Sequence, residues 1–188
     1  MIKIETFLLL SQQTLNRFYT EQSNIKKLSE CFTSIEDDIE SLSTVYSSDL
    51  HKDSNDFNMA IIINMKDETL LGYENWGYDL WRSYLTCLSN YVQSNFDYGH
   101  TMYGIDPYDI SFKNVGDHNI EFTLRFDGVK DNMIVKRFVL EEKNFIISLI
   151  NAAEYYYMLM QDHNFSTPQK LIDLLNQMKG NINTKFNT

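Results

Sequence analysis

The stretch that decides the fold is Asn119–Gln161, NIEFTLRFDGVKDNMIVKRFVLEEKNFIISLINAAEYYYMLMQ. Ile120, Phe122, Leu124 and Phe126 alternate with Glu121, Thr123 and Arg125, the period-2 pattern of a half-buried strand. Asp127-Gly128 opens a short polar connection, and Met133 to Leu140 resumes an extended, β-branched run, so the two segments read as a hairpin. Phe145, Ile146, Leu149, Ile150, Ala153, Tyr156, Tyr157 and Met160 then fall on one face of a helix. A hairpin followed by an amphipathic helix can bury both apolar faces against each other, which makes this segment the expected core.

Working outward, Tyr108, Ile110 and Phe112 alternate with Asp109, Ser111 and Lys113. They predict a further strand, joined to the hairpin by a turn at Asn114 to Asp117. Residues 94–107, with Gly99, Gly104 and Pro107, read as a loop. Before it, Trp76, Leu80, Trp81, Tyr84, Leu85, Leu88, Tyr91 and Val92 describe an amphipathic helix, and the apolar run Met59–Met65 suggests a strand covered on both faces. In the first third, Leu15, Phe18, Tyr19, Ile25, Leu28 and Phe32 suit one helix, with Ser11 or Thr14 as its cap. Ile35, Ile39, Leu42, Tyr46 and Leu50 suit a second, while Ile2 to Leu10 fits a strand or the approach to a helix equally well.

After a break at Asp162-His163-Asn164, Thr167-Pro168 opens a last helix that Gly180 is expected to close, leaving Asn181–Thr188 frayed. The expectation is a single α+β domain over residues 1–188. It comprises a helical part (1–58), a core (59–161) and a C-terminal helix (165–180), with an antiparallel meander of four or five strands and helices mainly on one face.

Composition limits the function. The 43% apolar and 14% aromatic content is that of a packed chain, and 188 residues suffice for a core without staples. Cys31 and Cys87 show no metal or redox spacing and read as buried thiols of a reducing compartment. The first ten residues carry an apolar run too short to span a membrane and no basic leader or small-residue cleavage site, so a cytoplasmic location is expected. A formal charge of −10 disfavours nucleic acid and anionic membrane as partners, and suits a basic protein. Seven acids (Glu36, Asp37, Asp38, Glu40, Asp49, Asp53 and Asp56) face one base, Lys52, between residues 36 and 56, giving the most one-signed region of the chain.

Catalytic signatures are missing from the sequence. His51, His100, His118 and His163 are widely spaced, without HxH, HxxxH or HExxH. The seven glycines form no phosphate loop. Acid pairs such as Asp67/Glu68 and Asp106/Asp109 carry nothing that separates them from surface carboxylates. The expectation is therefore a non-enzyme without cofactor or metal.

The order of elements resembles that of known proteins. A strand ending in Asp67-Glu68-Thr69-Leu70-Leu71 leads to a helix with Tyr78-Asp79-Leu80-Trp81. Next come Ile105-Asp106-Pro107-Tyr108-Asp109-Ile110-Ser111-Phe112, the hairpin, and a helix with Ala152-Ala153-Glu154-Tyr155-Tyr156. Over about residues 59–161 this is similar to small acidic bacterial immunity proteins of polymorphic or contact-dependent toxin systems. The resemblance implies a cytosolic binder that occludes a cognate toxin, with a basic nuclease toxin fitting the acidic charge. The seven acids of residues 36–56 are then the candidate contacts, with Tyr155, Trp76 and Trp81 as secondary ones. The alternatives are an enzyme or small-ligand binder with an aromatic pocket around Trp76 and Trp81, and a structural adaptor subunit.

Overall fold

The computed structural model describes residues 1–20, 27–36, 57–105, 107–128 and 131–186. It is an α+β fold built on two antiparallel sheets. The first contains β1 (Ile2–Leu9), β2 (Phe32–Ser34), β3 (Asn58–Met65) and β4 (Glu68–Leu71) in the order β2-β1-β3-β4, with the two-residue β5 (Gly77–Tyr78) also pairing β3. The second is the expected meander: β6 (Tyr98–Met102), β7 (Tyr108–Gly116), β8 (Asn119–Gly128) and β9 (Asp131–Glu141), in chain order. Four α-helices accompany them among the described residues: α1 (Gln12–Tyr19), α2 (Leu80–Gln93), α3 (Glu142–Asp162) and α4 (Gln169–Phe186).

β3 is apolar on both faces because each meets a different core. Met59, Ile61 and Ile63 join the main cluster with Leu8, Trp81 and Leu85. Ala60 and Ile62 join Leu9, Leu15, Cys31 and Phe32 under α1. The N-terminal segment resolves as strand β1, paired through Ile4↔Ile63 and Leu8↔Met59.

α2 is the central element. Nine of its residues are buried, among them Trp81, Tyr84, Cys87, Leu88 and Tyr91, and they spread almost round the helix, the mark of one enclosed by protein. Trp81 Nε1 donates to Thr6 Oγ1 of the first sheet at 3.1 Å. Tyr84 lies against Phe122 and Phe112 of the second, at 6.3 and 6.5 Å between ring centroids. The helix is thus a wedge between the sheets. Its close seat on β6 needs Gly99, where an added Cβ would lie 2.2 Å from the Cys87 carbonyl oxygen and 2.7 Å from the Tyr91 nitrogen.

α3 buries all eight apolar positions that its periodicity selects. Its first turn packs Phe145 edge-on against Phe112 at 5.4 Å, and its middle reaches the first sheet, where Ser148 Oγ donates to the Ile2 carbonyl at 3.3 Å.

Four expectations need correction, and a fifth falls beyond the described residues. The helix predicted over 15–32 stops at Tyr19; a short 3-10 turn (Leu28–Cys31) and β2 follow, because Phe32 pairs with Leu9 in the sheet and packs its ring near Tyr73 and Trp76. The helical phase over Ile39–Leu50 lies outside the described residues. Trp76 precedes α2 rather than belonging to it, following a 3-10 turn at Tyr73–Asn75. The loop over 94–107 contains β6, in which Gly99, His100 and Thr101 conceal a strand pattern. Finally, α4 passes through Gly180 to Phe186, which also removes the expected frayed tail as far as that residue.

The reason α4 continues is tertiary. Ile182 is buried, the Lys185 ammonium pairs with Glu142 and lies 3.9 Å from the Phe96 ring centroid, and Lys143 Nζ donates to the Phe186 carbonyl at 3.4 Å. Glu142, itself buried, also accepts from Tyr91 Oη at 2.8 Å, so one carboxylate ties α2, α3 and α4 together. Burial and this carboxylate push the Tyr91 phenol pKa far up.

Two substitutions test this account by denaturant unfolding. Gly99→Ala should lower stability by about 1–3 kcal/mol through overpacking against the α2 backbone. Glu142→Ala should cost about 2–4 kcal/mol, because it leaves Lys185 and Tyr91 without their acceptor. Midpoints unchanged from the parent would contradict the close seat of α2 in the first case and the three-helix tie in the second.

Candidate protein-docking surface

One end of the meander gathers exposed apolar side chains. The cross-strand register places Met102, Asp109, Arg125 and Ile134 in one row, and Tyr108, Phe126 and Met133 in the next. Successive rows face opposite sides of the sheet, so Met102 (49% exposed) and Ile134 (45%) lie on the face that carries Asp109 and Arg125, while Tyr108 (40%) and Met133 (58%) share the other face, with Ile105 (62%) just beyond β6 at the same end. Exposed apolar residues are ordinary singly, but a contiguous group marks a contact surface.

Behind this rim lies a cleft of about 440 Å³ between the two sheets. Tyr19, Trp76, Tyr78, Tyr103 and Tyr108 supply its rings, Ile105, Leu124 and Val135 its aliphatic wall, and Asn58, Glu74 and Asn75 its polar groups. The walls are held firmly. Tyr103 Oη donates to the Asn75 carbonyl at 2.7 Å, and its backbone nitrogen donates to the Tyr108 carbonyl at 2.8 Å. Gly104 has φ +67° and donates to Ser83 Oγ at 2.9 Å; a Cβ there would also stand 3.2 Å from the Tyr78 backbone, so only glycine suits the turn.

Glu74 stands at the cleft with Lys136 Nζ 2.9 Å from its Oε1. Burial pushes its carboxyl pKa up, but hydrogen bonding from Lys136, the backbone and Asn75 outweighs that and holds it below the usual carboxylate range. The Asn75 amide contributes to this without making a well-formed hydrogen bond, so its buried Nδ2 has no acceptor at bonding geometry.

The outer face of the meander is not covered by any described helix. On that face, in the row of Met102 and Ile134, Arg125 Nη2 and Nε approach Asp109 Oδ2 at 3.1 and 3.3 Å, and His100 Nε2 lies 3.5 Å from Oδ1. Both carboxylate oxygens are engaged, so the cluster joins three strands. Pairing with Asp109 raises the Arg125 pKa further.

The residues singled out from sequence divide. Trp76 is half-buried and lines the cleft. Trp81 does not: it is fully buried and held by Thr6, so it is a core residue and the two tryptophans share no pocket. Tyr155, 40% exposed, sits in a separate groove of about 530 Å³ between α3 and α4, with Met158 beside it. Glu36 is exposed just after β2. Asp37, Asp38, Glu40, Asp49, Asp53 and Asp56 lie outside the described residues, as do His51 and Asp106. The rim residues Met102, Ile105, Met133 and Ile134 escaped the sequence reading; four aromatics spread over short polar segments at 76, 78, 103 and 108 were the available signal.

Among the described residues no group of three or more His, Cys, Asp or Glu side chains is placed to hold a metal ion, and no helix is long and apolar enough to cross a membrane. No protein-family model matches the chain, and comparison with curated proteins and with solved structures gave no match.

The thiols offer a direct check on nucleophilic chemistry. Burial pushes both upward, with Glu30 adding for Cys31 and Asp109 for Cys87, whose Sγ lies 3.7 Å from the Ile110 carbonyl. Both therefore stay protonated at pH 8, and the thiolate is the reactive form. An aromatic disulfide reagent should label neither cysteine in the native protein and both after unfolding. Fast native labelling at Cys31 or Cys87 would overturn this assignment.

Proposed function

We propose that this chain is a cytoplasmic immunity protein that neutralises a cognate bacterial toxin by covering it, and that the meander rim with its aromatic cleft is the contact. The observation that carries the reading is the group of exposed apolar side chains, Ile105, Tyr108 and Met133, beside a preformed aromatic cleft. Such a surface supplies what a protein interface needs at its energetic centre: large apolar anchors and a concavity that excludes water. The order of elements over residues 59–161 adds its likeness to immunity proteins. The seven acids of residues 36–56 complement this by attracting a basic partner from a distance, which raises association rate more than affinity.

A second reading, a small-ligand binder, draws on the cleft alone, since its volume and lining suit an organic molecule.

The test is co-expression with the product of an adjacent candidate toxin gene. The parent chain should restore growth, and the double variant Ile105→Asp, Met133→Asp should lose protection with affinity reduced about 100-fold or more, the scale of central interface residues. A folded double variant that protects as well as the parent removes the rim from the interface. Toxicity that the parent chain never relieves, across the toxins of its genomic neighbourhood, removes the immunity reading itself.

A further inference from the structure

The geometry points to the cleft as a socket for an arginine side chain of the protein partner, an inference that rests on the docking role of the rim. The lining chemistry selects the charge. Among the described residues, five aromatic side chains and one carboxylate line the cleft and no Lys, Arg or His side chain does; Lys136 reaches the carboxylate from outside the lining. Ring faces carry the negative lobe of the aromatic quadrupole, so a cation placed among them is attracted. Glu74 supplies the matching charge, and the whole chain, at −10, adds to the potential. Lys136 Nζ already pairs with Glu74 Oε1 at 2.9 Å; a carboxylate offers about four acceptor positions, so one ammonium does not saturate it.

Shape and surroundings select the occupant. A guanidinium is flat, stacks on indole and phenol faces and binds carboxylate through paired N–H groups, where an ammonium acts as a point charge. About 440 Å³ takes the guanidinium with its aliphatic stem, which Leu124 and Val135 would cover. Ile105, Tyr108 and Met133 stand exposed at the mouth. A free small cation would leave them wet, whereas a side chain arriving on a protein surface brings the apolar cover they need.

The experiment uses N-acetyl-arginine amide as the probe and N-acetyl-citrulline amide, its neutral isostere, as the control, at physiological salt. The chain has two tryptophans, and only Trp76 meets the cleft, so its indole N–H resonance is the reporter and that of buried Trp81 the internal reference. The arginine probe should shift Trp76 saturably, with dissociation constant of about 1–10 mM. Citrulline, and the arginine probe on Glu74→Gln, should each bind at least about fivefold more weakly. Absence of a saturable shift, or equal binding of both probes, overturns the socket. Micromolar binding of the free probe would also overturn it, since the occupant would then be a small molecule. If the probe fails while Ile105→Asp, Met133→Asp still abolishes protection, the socket falls and the docking rim stands. If the probe binds while that double variant protects fully, the cleft is a cation site outside the toxin interface and the partner-side-chain inference fails.

Discussion

The structure depends on one close approach, that of α2 to β6 at Gly99. With the strand backbone seated against the Cys87 carbonyl, the helix sinks between the two sheets and can bury Trp81 on one side and Tyr84 on the other. Everything that forms the cleft is then placed by α2 and its flanks. β5 and the Trp76 turn enter from its N-terminal side, Ser83 fixes the Gly104 turn, and the meander hangs from its far face. A methyl group at residue 99 would press that strand away from the helix backbone.

How much of this was legible in the sequence follows from how one-sided each element is. α3 has a clean buried stripe, so periodicity identifies all eight of its core residues. β3 reads as doubly covered because nothing polar interrupts Met59–Ile63. β6 was hidden because Gly99, the residue that makes the fold possible, carries no hydropathy signal and its exposed neighbours are polar. Gly180 misleads in the opposite sense. Its local chemistry says stop, but Ile182, Lys185 and Phe186 gain enough contact with α2 and α3 to carry the helix past it. Phe32 matched a helical spacing by coincidence, and its pairing with Leu9 decided the matter.

The candidate surface was legible only in part. Trp76 was flagged, but for a pocket shared with Trp81 that the core position of Trp81 rules out. Cleft residues come from six separate segments, and no spacing rule connects Asn58 to Tyr103 or Val135. Charge was visible at once, because it needs no fold to be counted. The acidic run and the apolar rim thus do different physical work in the proposed function: one acts over a Debye length and weakens with salt, the other acts on contact and does not.

The bond from Ser148 to Ile2 joins residues 146 positions apart, and β1 reaches its sheet partner β3 only across more than fifty residues. The first strand can pair with β2 and β3 while the rest of the chain is still being made, but its contact with α3 must wait until residue 148 has been added. Such long-range closure slows folding and lengthens exposure to misassembly.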